Sequence, residues 1–236
     1  MYDESTINFP VVVKPLCGEK FGLKASERYK IAESSSELND AINHYSKLSP
    51  VIVEEYVKGD GIGVSIVLGK GGRVYSAFCH KRLSEYPFSG GPSTSLVTFK
   101  DNNLIERTVK LLKEAEFEGI AMAEYKEKDG EYYLLEVNPR IWGSFPATFK
   151  ADSDFIKGYL GASRKENSSF SANYKINKKV KFLPNIFASV VSYAKNRLLK
   201  KAFLTLIDAL NIFVPNAVFS ISDPLPAILD IFRKRR

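Results

Sequence analysis

The feature that most constrains the fold of this 236-residue chain is the apolar run LLEVN at residues 134–138. Residues two apart on a strand share a face, so Glu136 and Asn138 point the same way from an otherwise apolar strand. The run at 120–125 is also typical of a strand, and it carries Glu124. An antiparallel hairpin of these two runs therefore brings a second carboxylate towards the first.

The loop between the two runs decides whether these carboxylates meet. A two-residue turn at 129–130 would pair Glu124 with Leu135 and would turn Glu136 to the opposite face. A three-residue loop at 128–130, with glycine at its left-handed position, shifts the pairing by one residue. We predict the three-residue loop, which puts both carboxylates on one face.

Carboxylate and amide oxygens are the hard ligands that Mg²⁺ takes in proteins, usually together with substrate phosphates. The spacing therefore predicts a Mg²⁺ site, with Mn²⁺ as a substitute ion, formed by Glu124, Glu136 and Asn138. The alternative is an edge hairpin whose carboxylates are simply solvated.

Charge is unevenly distributed along the chain. Residues 1–150 hold 19 Lys and Arg against 21 Asp and Glu, whereas residues 151–236 hold 15 against 6. A basic C-terminal third fits either contact with an anionic surface or a set of solvated helix faces. We predict no nucleic-acid partner.

The cysteines and the termini indicate the compartment. Cys17 and Cys79 form no metal or disulfide framework, which is typical of a reducing compartment, and residues 1–8 lack the features of a secretory signal. Asp208 and Pro215 interrupt the apolar stretch 202–221, so we predict no spanning segment. We predict a cytoplasmic protein, with peripheral contact at the inner membrane face left open by the nearby basic residues.

The order of the motifs resembles the ATP-grasp superfamily, in particular its carboxylate–amine ligases, over roughly residues 9–150. The order is a strand-end lysine (Lys14), a glycine-containing loop (18–22), a strand ending in EEYV (54–57), a hairpin with a later Gly-Gly loop, and finally Glu124 followed by EVNPR (136–140). Stretches 80–94 and 141–144 resemble a branch whose members often accompany cell-surface polysaccharide genes.

The resemblance implies an α+β protein with the ATP-grasp fold. Residues 1–57 would form a partial first subdomain, and residues 58–150 a complete second subdomain with an antiparallel sheet. Beyond the resemblance, a polar and basic stretch without clear period and then helical periodicity predict a linker at 151–181 and a basic, helical extension at 182–236. ATP in this fold lies between the two subdomains.

The resemblance also implies a role for each site residue. Glu124, Glu136 and Asn138 would hold Mg²⁺ on the phosphates, and Lys14 would reach the phosphates as a point charge. Arg140 would stabilise the acyl-phosphate and the oxyanion formed during amine attack, and either Lys81 or Arg82 would bind phosphate. The adenine hinge and the ribose-binding acid would be Glu54, Glu55, Tyr56, Val57 and Asp60.

The function that the resemblance implies is an ATP- and Mg²⁺-dependent ligase for small-molecule carboxylate and amine substrates. An ATP-grasp kinase acting on a hydroxyl, and a catalytically incomplete nucleotide-binding fragment, are the alternatives. The chain starts almost at the second strand of the family fold. We therefore expect a truncated frame, a crystallised fragment, or a split enzyme whose second chain supplies the N-terminal domain.

Overall fold

Apolar side chains collect around two separate sheets, and the chain divides accordingly into two compact units. The computed structural model describes residues 7–16, 18–23, 27–88, 90–166, 171–183, 185–219, 223–225 and 229. The units are Met1–Lys58 and Gly59–Arg236. The division falls one residue after the predicted boundary at 57.

The first unit is a three-stranded antiparallel sheet with one helix. β-Branched residues favour extended backbone and form much of β1 (Val11–Pro15) and β3 (Val51–Glu55), with β2 (Lys30–Ala32) on the other side of β1. Helix α1 (Ser35–Tyr45) begins after Ser34, whose hydroxyl accepts from the N–H of Glu37 at 3.3 Å, as expected of an N-cap. The core consists of Val11, Val13, Ala32, Leu38, Ala41 and Tyr45.

The second unit contains a six-stranded antiparallel sheet in the order β8-β7-β4-β5-β6-β9. Its strands are β4 (Asp60–Gly69), β5 (Arg73–Glu85), β6 (Ser93–Phe99), β7 (Gly119–Lys128), β8 (Glu131–Asn138) and β9 (Lys179–Lys181). Its helices are α2 (Asn102–Glu114), α3 (Ala147–Lys150), α4 (Phe155–Ser163), α5 (Asn185–Lys195) and α6 (Leu199–Leu210).

Strand β4 divides the core between the two faces of this sheet, because successive side chains point to opposite sides. Ile62, Val64, Ile66 and Leu68 lie on the face that α2 covers. Val67 lies on the other face, in a cluster that includes Trp142 and residues of α3 and α4. Gly61 and Gly63 precede Val67 on that second face, so this end of the strand presents no side chains there.

The sequence at 84–95 predicts one long loop, whereas in the structure both ends of this stretch are strand. β5 continues through Glu85, and β6 begins at Ser93. The polar sequence hides these strands because their hydroxyls bond to one another: Ser84 Oγ lies 2.7 Å from Thr94 Oγ1 and 2.8 Å from Ser95 Oγ. Buried hydroxyls are tolerated when they are paired in this way.

The segment predicted as a linker, 151–181, instead forms part of the second unit. Phe155 of α4 and Val180 of β9 are fully buried in the same cluster as Trp142, and β9 pairs with β6. Such short elements in a lysine-rich stretch carry no clear periodicity. The burial of their apolar side chains against the sheet is what distinguishes these elements from a linker.

The predicted extension 182–236 is likewise not separate within the described part of the chain. Helix α5 packs on the ends of β5 and β6, where Ser189 Oγ bonds to Thr94 Oγ1 at 2.6 Å and the Tyr193 hydroxyl accepts from the N–H of Glu85 at 2.9 Å. The prediction of helices in this region is correct. Among the described residues, no helix has the length and apolar character needed to cross a bilayer.

Candidate functional site

The hairpin between β7 and β8 carries the predicted metal ligands, and its turn differs from the prediction. Lys128 pairs directly with Glu131, so the turn contains only Asp129 and Gly130, with φ angles of 53° and 83°. Two consecutive positive φ angles are typical of the tight turn that matches strand twist. The predicted three-residue loop is therefore wrong.

The two carboxylates nevertheless meet, because a β-bulge replaces the predicted loop. Tyr125 lies opposite Leu134, and Glu124 lies opposite Glu136, so Leu135 is the extra residue on β8. A bulge shifts the register by one residue and re-aims the side chains beyond it. The bulge puts Glu124 and Glu136 side by side at an exposed end of the sheet.

Asn138 completes this group. Its Nδ2 donates to Glu136 Oε1 at 2.8 Å and to Glu124 Oε1 at 3.3 Å, so the amide bridges the two carboxylates. The sequence prediction that these three side chains share a face agrees with this geometry. Among the described residues, no three His, Cys, Asp or Glu side chains cluster in a way that could hold a metal. The present group has only two such residues, because its third member is an asparagine.

The arrangement fits a divalent cation. Two adjacent carboxylates repel each other unless a positive partner lies between them, and here the partly positive amide hydrogens take that position. Rotation of the Asn138 side chain would present Oδ1 in place of Nδ2. Glu124, Glu136 and Asn138 would then offer three oxygen ligands, with the remaining positions open to water or phosphate.

Arg82 is the basic residue at this site. One of its Nη atoms forms an ion pair with Glu124 Oε2, and the other donates to the carbonyl of Gly91 at 3.0 Å. Glu85 Oε2 lies 3.8 Å from the same guanidinium. The Arg82 Nε is buried and has no hydrogen-bond partner among the described residues, so the ion pair with Glu124 and the bond to Gly91 hold this cation at the carboxylates.

Lys81 lies on the other face of the strand. Its Nζ contacts Asp60 Oδ2 at 2.7 Å and Glu127 Oε2 at 3.0 Å. The hydrogen bond that Lys81 donates to Asp60 raises the pKa of Lys81, so the ammonium stays charged. Sequence reasoning could not choose between the two basic residues, and the structure brings only Arg82 to the carboxylate pair. Asp60, the predicted ribose ligand, is instead engaged with Lys81.

His80 lies beneath the site and is fully buried. Its Nε2 lies 3.3 Å from Ser144 Oγ, and its Nδ1 has no hydrogen-bond partner within the part of the chain that the structure describes. Burial first, and then the charge of Arg82, lower its pKa from 6.5 to about 3. His80 is therefore an uncharged packing residue at neutral pH.

Two glycines make room for these side chains, and sequence reasoning missed their role. A Cβ on Gly61 would lie 2.7 Å from Arg82 Cδ, and one on Gly63 would overlap the His80 ring. The available signal was Gly-Ile-Gly at 61–63, because glycine at alternate strand positions clears one face. Glu85, which lies three residues after Arg82 on β5, was also missed because its stretch was interpreted as a loop.

The predicted nucleotide ligands of the first unit contact one another. Lys14 Nζ forms an ion pair with Glu54 Oε2 at 2.6 Å. β3 ends at the exposed Glu55, and the N–H of Tyr56 donates to the carbonyl of Pro10 at 3.1 Å before the half-buried Val57. The structure thus places the predicted hinge residues at the end of a sheet strand.

Arg140 follows directly from β8. It is exposed, and its Nη1 donates to the carbonyl of Ile141 at 3.3 Å. Cys79 is buried, and burial raises the pKa of its thiol to about 11, so it is a packing residue. Cys17 and the basic residues 233–236 lie outside the described residues.

Comparison with known proteins adds a family and several relatives. A family model described as "ATP-grasp in the biosynthetic pathway with Ter operon" matches residues 47–182, more than half of the chain. The carbamoyl phosphate synthase large chain of Caldanaerobacter subterraneus subsp. tengcongensis is 27% identical over 156 residues, which are 61% of this chain and 14% of that one. The D-alanine–D-alanine ligase of Aquifex aeolicus is 31% identical over 139 residues, which are 55% of this chain and 45% of that enzyme.

A solved structure supports the same fold. The biotin carboxylase domain of the Hydrogenobacter thermophilus 2-oxoglutarate carboxylase, in complex with MgADP, ADP and bicarbonate, aligns with a TM-score of 0.57 at 17% identity. The alignment covers 74% of this chain and 41% of that one. The chain thus spans less than half the length of each of these three proteins.

Proposed function

The chain belongs to the ATP-grasp family, as its motifs and its α+β fold predicted, and we propose that it acts as an ATP- and Mg²⁺-dependent ligase. In this reaction ATP converts a substrate carboxylate to an acyl-phosphate, which an amine then attacks. The observation that carries the proposal is the pairing of Glu124 with Glu136 across a β-bulge, with Asn138 and Arg82 in contact with them.

Glu124, Glu136 and Asn138 are the proposed Mg²⁺ ligands. When bound, Mg²⁺ neutralises charge on the phosphates and helps to align them for transfer. The three side chains supply two negative charges and one neutral oxygen, which balance the charge of one Mg²⁺ and leave its remaining coordination positions open to phosphate oxygens. The MgADP complex of the structural neighbour is consistent with this chemistry.

Arg82 is the proposed phosphate-binding cation near these ligands. A guanidinium already paired with Glu124 can direct its other donors to a phosphate oxygen, which suits its fork of N–H groups. The salt bridge also limits repulsion between the two carboxylates before a metal binds. Arg140 is proposed to stabilise the acyl-phosphate and the oxyanion.

Lys14 and residues 54–57 are the proposed ATP ligands of the first unit. The Lys14–Glu54 ion pair is half-exposed, so the ammonium can exchange a carboxylate for a phosphate at small energetic cost. Small-molecule carboxylate and amine substrates follow from the ligase proposal.

Calorimetric titration of MgATP tests the proposal. We expect Mg²⁺-dependent binding to the unmodified chain, weakened at least about tenfold by Glu136→Gln, since even outer-shell partners contribute that much to a metal site. The matched control is Glu131→Gln, which changes an exposed glutamate at the far end of the same strand and should bind like the unmodified chain. Equal binding by Glu136→Gln and the unmodified chain would contradict the proposed metal site.

Product analysis then tests the reaction type. A ligase releases ADP and phosphate only when both a carboxylate and an amine are present. Accumulation of a stable phosphorylated hydroxyl compound would instead identify a kinase.

A further inference from the structure

Helix α6 has an inverted polarity that the ligase proposal does not use. Its buried positions are occupied by small or polar residues, namely Ala202, Thr205, Asp208 and Ala209. Its outward positions carry large apolar side chains that are 47–67% exposed: Leu199, Phe203, Leu204, Ile207 and Leu210. A helix on a soluble core normally has the reverse pattern.

Polar contacts fix this orientation. Asp208 Oδ1 accepts from Lys179 Nζ at 2.7 Å, and Lys181 Nζ donates to the carbonyls of Ala209 and Asn211 at 2.8 Å each. These contacts hold the polar side of α6 against β9. The apolar side therefore faces outward because of specific interactions.

The apolar surface continues beyond the helix. Ile212 and Phe213, in the turn after α6, are 85% and 87% exposed, and Phe187 and Val191 of α5 are 42% and 53% exposed. Apolar patches of this kind on soluble proteins mark binding surfaces. We call the surface formed by α5, α6 and the turn at 211–213 the hairpin surface.

The charges on the hairpin surface have one sign. Residues 185–213 contain Lys195, Arg197, Lys200 and Lys201, and their only acidic residue is Asp208, which is buried and paired with Lys179. The four cations cluster at the turn between α5 and α6, beside Leu199. The same surface on a second copy of the chain would add four more cations and no exposed acid to meet them.

We propose that the hairpin surface docks on a bilayer that contains anionic lipids, with α6 lying in the plane of the interface. Large apolar side chains on one side of a short helix, with flanking lysine and arginine, are suited to the boundary between headgroups and acyl chains. The apolar residues would enter this boundary, and the cations would meet lipid phosphates. This inference does not depend on the reaction that the chain catalyses.

Vesicle flotation tests the proposal with two lipid compositions, phosphatidylcholine alone and phosphatidylcholine mixed with phosphatidylglycerol. We expect binding to the mixed vesicles that weakens at high salt. The double variant Ile212→Ser/Phe213→Ser should lose about tenfold or more of this partitioning, because two exposed apolar side chains no longer enter the lipid. Both residues are so exposed that their replacement should leave the fold intact.

The matched control is Tyr133→Ser/Leu134→Ser, which removes two exposed apolar residues from β8, at the opposite edge of the sheet from β9. This variant should float like the unmodified chain. Two results would overturn the proposal: equal loss in both double variants, or absence of binding to mixed vesicles. Light scattering that shows a dimer dissociated by the Ile212/Phe213 variant, without vesicle binding, would assign the surface to self-association.

Discussion

At the scale of single residues, His80 shows how burial changes the chemistry of a side chain next to a functional site. It lies under the Gly63 backbone and beside Ser144, within the field of Arg82. Protonation would place a second cation in a fully buried position near the guanidinium. The protein therefore keeps this imidazole neutral, and its fold becomes sensitive to acid.

The pH dependence of stability follows from the sign of this shift. The pKa of His80 is about 3 in the folded chain and about 6.5 when unfolded, so the unfolded state binds more protons between these values. The free energy of unfolding is therefore highest above about pH 6.5. It decreases by about 1.4 kcal/mol per pH unit as the pH falls towards 3.

Urea unfolding of His80→Gln at pH 6.5 and pH 5 measures this contribution. We expect the loss of stability between the two pH values to be about 2 kcal/mol smaller in the variant than in the unmodified chain. His44→Gln, which changes the exposed second histidine, should behave like the unmodified chain. Identical pH dependence in all three proteins would show that His80 does not titrate as described.

At the scale of elements, strands β4 and β8 form the site through departures from a regular strand. β4 carries glycine at positions 61 and 63, which lets Arg82 and His80 lie across it. β8 carries the extra residue Leu135, which brings Glu136 opposite Glu124. Bulges and strand glycines weaken local pairing. Both features therefore lower the stability of the sheet locally, and contacts in the surrounding sheet must offset this loss.

Gly63→Ala tests the space beside β4. The added methyl group would overlap the His80 ring, and overpacking of this kind typically costs about 1–3 kcal/mol of unfolding free energy. Gly143→Ala is the matched control, because a Cβ there meets no atom within 4 Å, and it should change stability by less than about 0.5 kcal/mol. Urea midpoints measure both, and equal stability of the two variants would contradict the proposed close packing.

At the scale of the whole molecule, residues after 150 complete the second unit. β9 extends the sheet beside β6, and α5 reaches Glu85 through Ser189 and Tyr193. Lys181 links β9 to the C-terminal end of α6, where a cation is favourable because unpaired carbonyls carry partial negative charge. Burial lowers the pKa of this lysine, and the two carbonyl contacts offset that burial.

Lys181→Met tests this link. The variant leaves the carbonyls of Ala209 and Asn211 without their donor, which should cost about 1–3 kcal/mol. We expect faster hydrogen exchange across α6 than in the unmodified chain. Lys157→Met, which removes a largely exposed lysine from an ion pair with Asp154, should leave exchange in α6 unchanged. Unchanged exchange in both variants would exclude a role for Lys181 in holding the helix.

The sequence by itself determined the strands at 120–125 and 134–138 and their three oxygen donors. These rest on local periodicity and residue chemistry, which are readable along the chain. Its resemblance to the ATP-grasp superfamily was also sufficient to identify the family, because the order of motifs survives where overall identity is low. The predicted boundary between the units lies one residue from the observed division, because it follows the end of a β-branched run.

Only the tertiary structure decided how these pieces meet. The bulge at Leu135 depends on pairing between strands, which no local pattern encodes. It puts Glu124 and Glu136 on one face, as predicted, but through an extra residue in β8 and not through a three-residue loop. The choice of Arg82 over Lys81 followed from strand alternation at a register set by β4. The segment 151–181 became sheet and helix because it buries Phe155 and Val180 against distant residues. Its own polar sequence would leave it a linker, and burial over long sequence distances is the contribution that single-chain periodicity cannot supply.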